Sequence, residues 1–151
     1  MGFQKLVEYR EVLTLELNKI AQQYQLHSLL IMESTPETMV VFAANEQPIY
    51  SAGDAGPKSN QKGCHELYCE RVVDTEEPLL VSDASQYKEW KGNADLVEFG
   101  LGVYYGVPIM HKGKAVGTVC ALNDKPFDFM QGEPNVITRL NDVKLDVERH
   151  L

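Results

Sequence analysis

The chain has three cysteines, Cys64, Cys69 and Cys120, and no C-x-x-C pair among them. An odd number of thiols, with no basic-then-apolar leader at the N-terminus, argues for reduced side chains rather than a disulfide framework, and so for a cytoplasmic protein. Cys64 and Cys69 are five residues apart, which turns them about 140° from one another on a helix and unsuits them to a shared metal or a bridge. H-E-x-x-H and a phosphate-cradling glycine loop are also missing, so ordinary zinc chemistry and nucleotide hydrolysis have no motif. Long hydrophobic runs are absent too. The apolar stretches at 29–32 and 39–44 are far too short to span a bilayer. Positive charge is scarce, with 14 Lys and Arg against 22 Asp and Glu for a net charge of −8. The basic residues are scattered, so nucleic acid is not an expected partner.

What is present is enough apolar material for one domain spanning 1–151, since 44% of the 151 residues are hydrophobic. The clearest pattern lies at 102–129. Val103, Tyr105, Val107 and Ile109 alternate with Tyr104, Gly106 and Pro108, and Val116, Thr118, Cys120 and Leu122 repeat the alternation beyond His111-Lys112-Gly113-Lys114. That is a β-hairpin with a glycine suited to a left-handed turn position. A second hairpin is expected from strands at 26–33 and 38–45 around Ser34-Thr35-Pro36-Glu37.

Residues 3–24 contain no Gly or Pro and place Phe3, Leu6, Leu13, Leu17, Ile20 and Tyr24 on one heptad seam that Arg10 interrupts. Val7, Val12 and Leu15 widen the stripe beyond what one sheet face needs, as a helix meeting a partner chain would. A last helix at 134–151 aligns Val136, Leu140, Val143 and Val147 and carries no stop signal, which suits a helix leading to an effector domain or pairing in trans. Between these, 46–63 carries two Pro and three Gly and reads as an irregular loop of a length that often covers a site. A helix at 63–77 stopped by Pro78 and a short buried strand at 79–81 follow. The segment 83–102 breaks into short capped turns, one opened by Asp83 and bearing Tyr87 and Trp90, another opened by Asn93 at 94–99 and ended by Gly100.

Gly106-Val107-Pro108-Ile109, the run from Gly113 to Phe127 (G-K-A-V-G-T-V-C-A-L-N-D-K-P-F) and the upstream stretch from Cys69 to Ala84 together resemble GAF domains, the small-molecule-sensing modules of signalling proteins, over roughly residues 10–150. The resemblance implies an α+β fold, an α/β sandwich of the GAF/PAS kind. Its central antiparallel sheet would have five or six strands, the terminal helices (1–25 and 131–151) on one face, and short helices and loops over a pocket on the other. It further implies a homodimer bundled through those helices, with Leu6, Leu13, Leu17, Ile20, Val136, Leu140, Val143 and Val147 as the interface. The wider protein would belong to a two-component or cyclic-dinucleotide signalling system.

Several family chemistries find no matching residues. Bilin attachment in the resembling photoreceptors uses Cys-His on the later helix. Cys64-His65 has that order but opens the earlier one. Methionine sulfoxide reduction needs cysteines on the loops over the pocket, and 83–102 has no Cys, His or Arg. A cyclic nucleotide would meet only Lys88 and Lys91 there, although helix N-termini can also hold a phosphate. Haem would have only His65 or a turn residue, His111. No cofactor is indicated. The expected role is noncovalent binding of an unidentified small ligand under the lid, by Tyr68, Asp83, Tyr87, Trp90, Asn93, Cys120 and one of Tyr104 and Tyr105, since strand neighbours point oppositely. Two alternatives stay open: a ligand-free scaffold whose own Tyr and Trp fill the pocket, and a thiol-dependent methionine sulfoxide reductase.

Overall fold

The computed structural model describes residues 2–151. Six antiparallel strands form one sheet in the order β3-β2-β1-β6-β5-β4. They are β1 (Ser28–Ser34), β2 (Thr38–Ala44), β3 (Ala55–Pro57), β4 (Leu79–Val81), β5 (Val103–His111) and β6 (Lys114–Asn123). The β5–β6 turn is the two-residue kind expected of Lys112-Gly113, with φ of 51° and 80°. Two successive left-handed residues match the twist of the strands they join, and glycine takes the second at no steric cost.

The N-terminal segment is a 3₁₀ helix over Gly2–Tyr9 that passes into α1 (Arg10–Tyr24), rather than one continuous helix. It packs with α4 (Val136–Arg149) on one face of the sheet. The interface expected from the heptad seams is corrected here. Leu6, Leu13, Leu17, Ile20, Val136, Leu140, Val143 and Val147 are each at most 3% exposed within a single chain, packed with Leu29, Ile31, Val107 and Val119. An amphipathic pattern states that a face is buried, not against what; here the sheet covers it. The outward faces carry exposed Val7, Val12, Leu15 and Leu145 instead. Arg10, the interruption in the seam, lays its guanidinium 4.3 Å from the Phe42 ring centroid and so remains near the core as a cation–π partner.

On the other face lie α2 (Tyr68–Thr75), two 3₁₀ turns (Ala84–Gln86 and Lys88–Trp90) and α3 (Ala94–Phe99). Helix α2 starts five residues later than expected, because the buried Glu70 carboxylate reaches back to accept from Leu67 N at 3.1 Å and from Ser59 N at 3.0 Å, holding 59–67 as a loop. β3 lies in the stretch expected to be irregular. Three residues ending in Pro make an edge strand by backbone pairing alone, with no side-chain alternation to announce it. β4 is the opposite edge. Only Val81 of its three residues is buried, and Leu80 is exposed. Among the described residues, no helix is long and apolar enough to cross a membrane.

Candidate functional site

Strand alternation divides the two adjacent tyrosines. Tyr105 turns toward the terminal helices and stacks near Phe129, at 5.6 Å between centroids, so it leaves the candidate site; Tyr104 faces the lid. There Tyr104 and Trp90 each lie 4.9 Å from Tyr68, and all three are at most 2% exposed. Tyr68 donates its hydroxyl to Leu101 O at 2.9 Å, and Arg71 covers the indole at 4.4 Å. The centre of the space under the lid is therefore filled by the chain's own aromatic side chains, with Cys120 buried on the sheet beneath them. Burial pushes the Cys120 thiol up to about 12 and raises Cys69 well above its ordinary range.

The polar lid residues serve the backbone. Asp83 accepts from Ser85 N at 3.1 Å and from the Ser85 hydroxyl at 2.5 Å, which hold its carboxyl below its usual range. Asn93 accepts from Leu96 N at 3.1 Å and donates to Glu66 O at 2.9 Å, capping α3 as the sequence predicted. Tyr87 is exposed. Tyr87 and Trp90 line a separate depression of about 280 Å³ with Arg71, Leu79 and Val81, but neither these two nor Asp83, Asn93, Tyr68, Tyr104 or Cys120 lines the apolar cleft beside α3.

That cleft, of about 370 Å³, sits toward the β3 edge. Met32 and Met39 make its floor, Gly56 and Pro57 its rim, and Leu67 and Cys69 one wall. Asp95, Glu98 and Phe99 of α3 face Ile49, Tyr50 and Asp54 of the loop 45–55 across it. The loop is built to present Tyr50: Gln47 Oε1 accepts from Ile49 N and Tyr50 N at 2.8 Å each, and its amide donates to Tyr50 O at 2.7 Å. Tyr50 then donates its hydroxyl to Asp95 Oδ1 at 2.5 Å, and its ring meets Phe99 edge-on at 6.0 Å. Loop and lid helix are latched by this pair. Burial raises the Asp95 carboxyl above its ordinary value, opposed by the Tyr50 hydrogen bond, while burial and the Asp95 charge raise the Tyr50 phenol. A second hollow of about 300 Å³ shares Gly56, Pro57, Leu67, Ala94 and Glu98 with the first and adds Cys64 and His65.

Sequence reasoning missed Tyr50, Asp54, Asp95 and Glu98. The available signal was the length of the 46–63 loop, which marked it as a cover. Pairing it with α3 needs the fold, because the two latch residues stand 45 positions apart. Among the described residues, no group of three or more His, Cys, Asp or Glu side chains is arranged to hold a metal ion.

The sequence pattern of the GAF domain family matches residues 8–140. The chain belongs to that family. Its fold is similar to the GAF domain of an Acinetobacter phosphoenolpyruvate-protein phosphotransferase, at TM-score 0.69 and 18% identity over 93% of this chain and 80% of that one. It is also similar to residues 122 to 287 of a methyl-accepting chemotaxis protein, at TM-score 0.70 and 15% identity over 98% and 90% of the two chains. A third similar structure is the free methionine-R-sulfoxide reductase of Neisseria meningitidis in complex with its substrate, at TM-score 0.69 and 11% identity over 95% and 78%. No curated protein sequence matches. GAF domains are typical of signalling and sensing proteins, and the fold is shared with methionine sulfoxide reductases.

Proposed function

We propose that this GAF domain is a cytoplasmic sensor that binds a small organic molecule noncovalently in the cleft between α3 and the loop 45–55. It would report occupancy through its terminal helices in a homodimer. The observation that carries the reading is the cleft itself, apolar on floor and wall, with a few polar groups converging on one side, which is the usual composition of a small-molecule site. Ligand contact with α3 would compete with or reinforce the Tyr50–Asp95 latch. The helices can be biased by no more than the difference in affinity between lid states, commonly about 1–3 kcal/mol. The dimer would form on the outward faces of α1 and α4, where Val12, Leu15 and Leu145 are exposed. Three free thiols support a reducing setting.

Catalysis is not part of this reading. The one thiol lining the cleft, Cys69, is raised by burial, the opposite of what a thiolate nucleophile requires. A second reading has its own support. The Tyr68-Trp90-Tyr104 cluster occupies the space under the middle of the lid, as in a scaffold that binds no ligand.

Native mass spectrometry and a thermal-shift screen of nucleotides, amino acids, amines and carboxylates separate the two. The sensor predicts a bound mass or a stabilisation, about 2.7 kcal/mol at a ligand concentration of 100 Kd, that the cleft-filling substitution Ala94→Phe abolishes. A bare chain mass and a flat screen would establish the scaffold.

A further inference from the structure

We infer that the cleft takes an organic cation, an amine on an apolar body, rather than an anion; the inference rests on the sensor reading above. The lining contains three carboxylates, Asp54, Asp95 and Glu98, and no Lys, Arg or His. Among the described residues, none of the three is in an ion pair, whereas five other acids are matched to Arg or Lys. Lys58, beside the rim, is turned away and donates to Ser34 Oγ at 2.8 Å. Asp95 matters most. Its carboxyl is partly desolvated, yet among the described residues its only side-chain partner is the neutral Tyr50 hydroxyl. A half-buried, partly desolvated carboxylate without a cation carries an unpaid desolvation cost, and an ammonium group placed beside it is the ligand chemistry that would offset that cost.

The remaining surface suits the rest of such a molecule. Met32, Met39 and Ile49 offer apolar contact, and Phe99 and Tyr50 add aromatic faces that attract a cation electrostatically. An anion would meet the reverse. It would find no cationic side chain in the lining and would enter against a chain of net charge −8.

The test titrates the full chain with 2-phenylethylamine and tryptamine, each against its alcohol (2-phenylethanol, tryptophol) and its carboxylate (3-phenylpropionate, indole-3-propionate). Calorimetry measures affinity, and amide chemical shifts map the site. The amines should bind at least 10-fold tighter than the alcohols and shift the amides of Tyr50 and Asp95, and the carboxylates should not bind. Asp95→Asn should weaken amine binding about 10- to 100-fold, the range expected for loss of a charge-assisted contact, and bring it near the alcohols. Asp83→Asn, which removes a lid carboxylate outside the cleft, should leave it unchanged. Alcohols or carboxylates binding as tightly as the amines, at the same amides, would overturn the cation inference while leaving the cleft as a site. Equal loss in both Asn variants would overturn the role of Asp95. Silence at the cleft amides for all six compounds would remove the sensor reading together with the inference.

Discussion

Tyr68 and Tyr104 should respond to loss of the same atom with opposite signs. Both are about 1% exposed and their rings are 4.9 Å apart, so the two hydroxyls sit in nearly the same medium. The Tyr68 hydroxyl donates to Leu101 O at 2.9 Å. The Tyr104 hydroxyl is buried with no nitrogen or oxygen hydrogen-bond partner and interacts with the Cys120 thiol, a weak acceptor. Tyr68→Phe removes a bond with a net value of about 1 kcal/mol and leaves a buried carbonyl unpaired, for a total cost of about 1–2 kcal/mol. Tyr104→Phe removes a desolvated hydroxyl that gains only a weak thiol contact in return, a relief of roughly 1–2 kcal/mol, reduced by that contact and by the dispersion lost with one oxygen atom. We expect Tyr104→Phe to stabilise by about 1 kcal/mol and Tyr68→Phe to destabilise. For a chain of this size each kcal/mol moves Tm by roughly 2–4 °C, and urea unfolding should show shifted midpoints at constant slope. Equal destabilisation in both variants would refute the reasoning, because it would mean that the Tyr104 hydroxyl is bonded in solution.

Two further outcomes follow from burial. The folded state raises the Asp95 carboxyl above its unfolded value of 3.8, so its favourable contribution is complete below that pH and is lost as pH rises through the raised value. Asp95→Asn should therefore raise Tm at pH 7, with the gain gone near pH 3; a loss at pH 7 would contradict it. Leu15→Glu, on the exposed face of α1, should leave Tm nearly unchanged and lower the sedimenting mass to that of one chain, whereas Leu17→Asp should unfold the protein by burying a charge in the helix–sheet core. An unaltered mass for Leu15→Glu would exclude the outward face as the contact.

The strands were readable wherever alternation was long. Val103 to Leu122 gave both the hairpin and its turn, because each successive side chain must choose a face. Three residues at Ala55–Pro57 offer no such record, and their pairing to β2 depends on tertiary position alone. In the terminal helices the buried stripe was legible and its partner was not, since Leu17 or Leu140 fits a sheet as well as a second helix. The site was less visible still. Asp83 and Asn93 looked like ligand groups because they are polar residues within a lid, yet an Asp or Asn that opens a short helix already has backbone N–H groups to accept from. The cleft is instead closed by a latch between one tyrosine in a loop and one aspartate on a lid helix, and no periodicity links positions 50 and 95.

The two faces of the sheet are not equally tightly packed, and on the proposed sensor reading that asymmetry favours the lid side as the part that senses. On the helix side, a Cβ at Gly117 would lie 2.1 Å from Met32 O and 2.9 Å from Phe3 Cζ, so packing there leaves no slack. On the lid side, α3 buries none of its six residues and leaves Val97 and Phe99 exposed. It is held by the Asn93 cap, the Tyr50–Asp95 latch and Leu101 N donating to Asp95 O at 3.1 Å. An element with so little buried area lies at the low end of local stability and shifts before the sheet does. A ligand's differential affinity would therefore act first on α3. From there the chain runs directly through Leu101, tied to α2 by Tyr68, into β5, and Met110 N at the far end of β5 donates to Glu148 of α4 at 2.7 Å. On the proposed sensor reading the route from cleft to last helix would follow one strand, and weakening its far contact should then uncouple α4 while leaving the cleft intact.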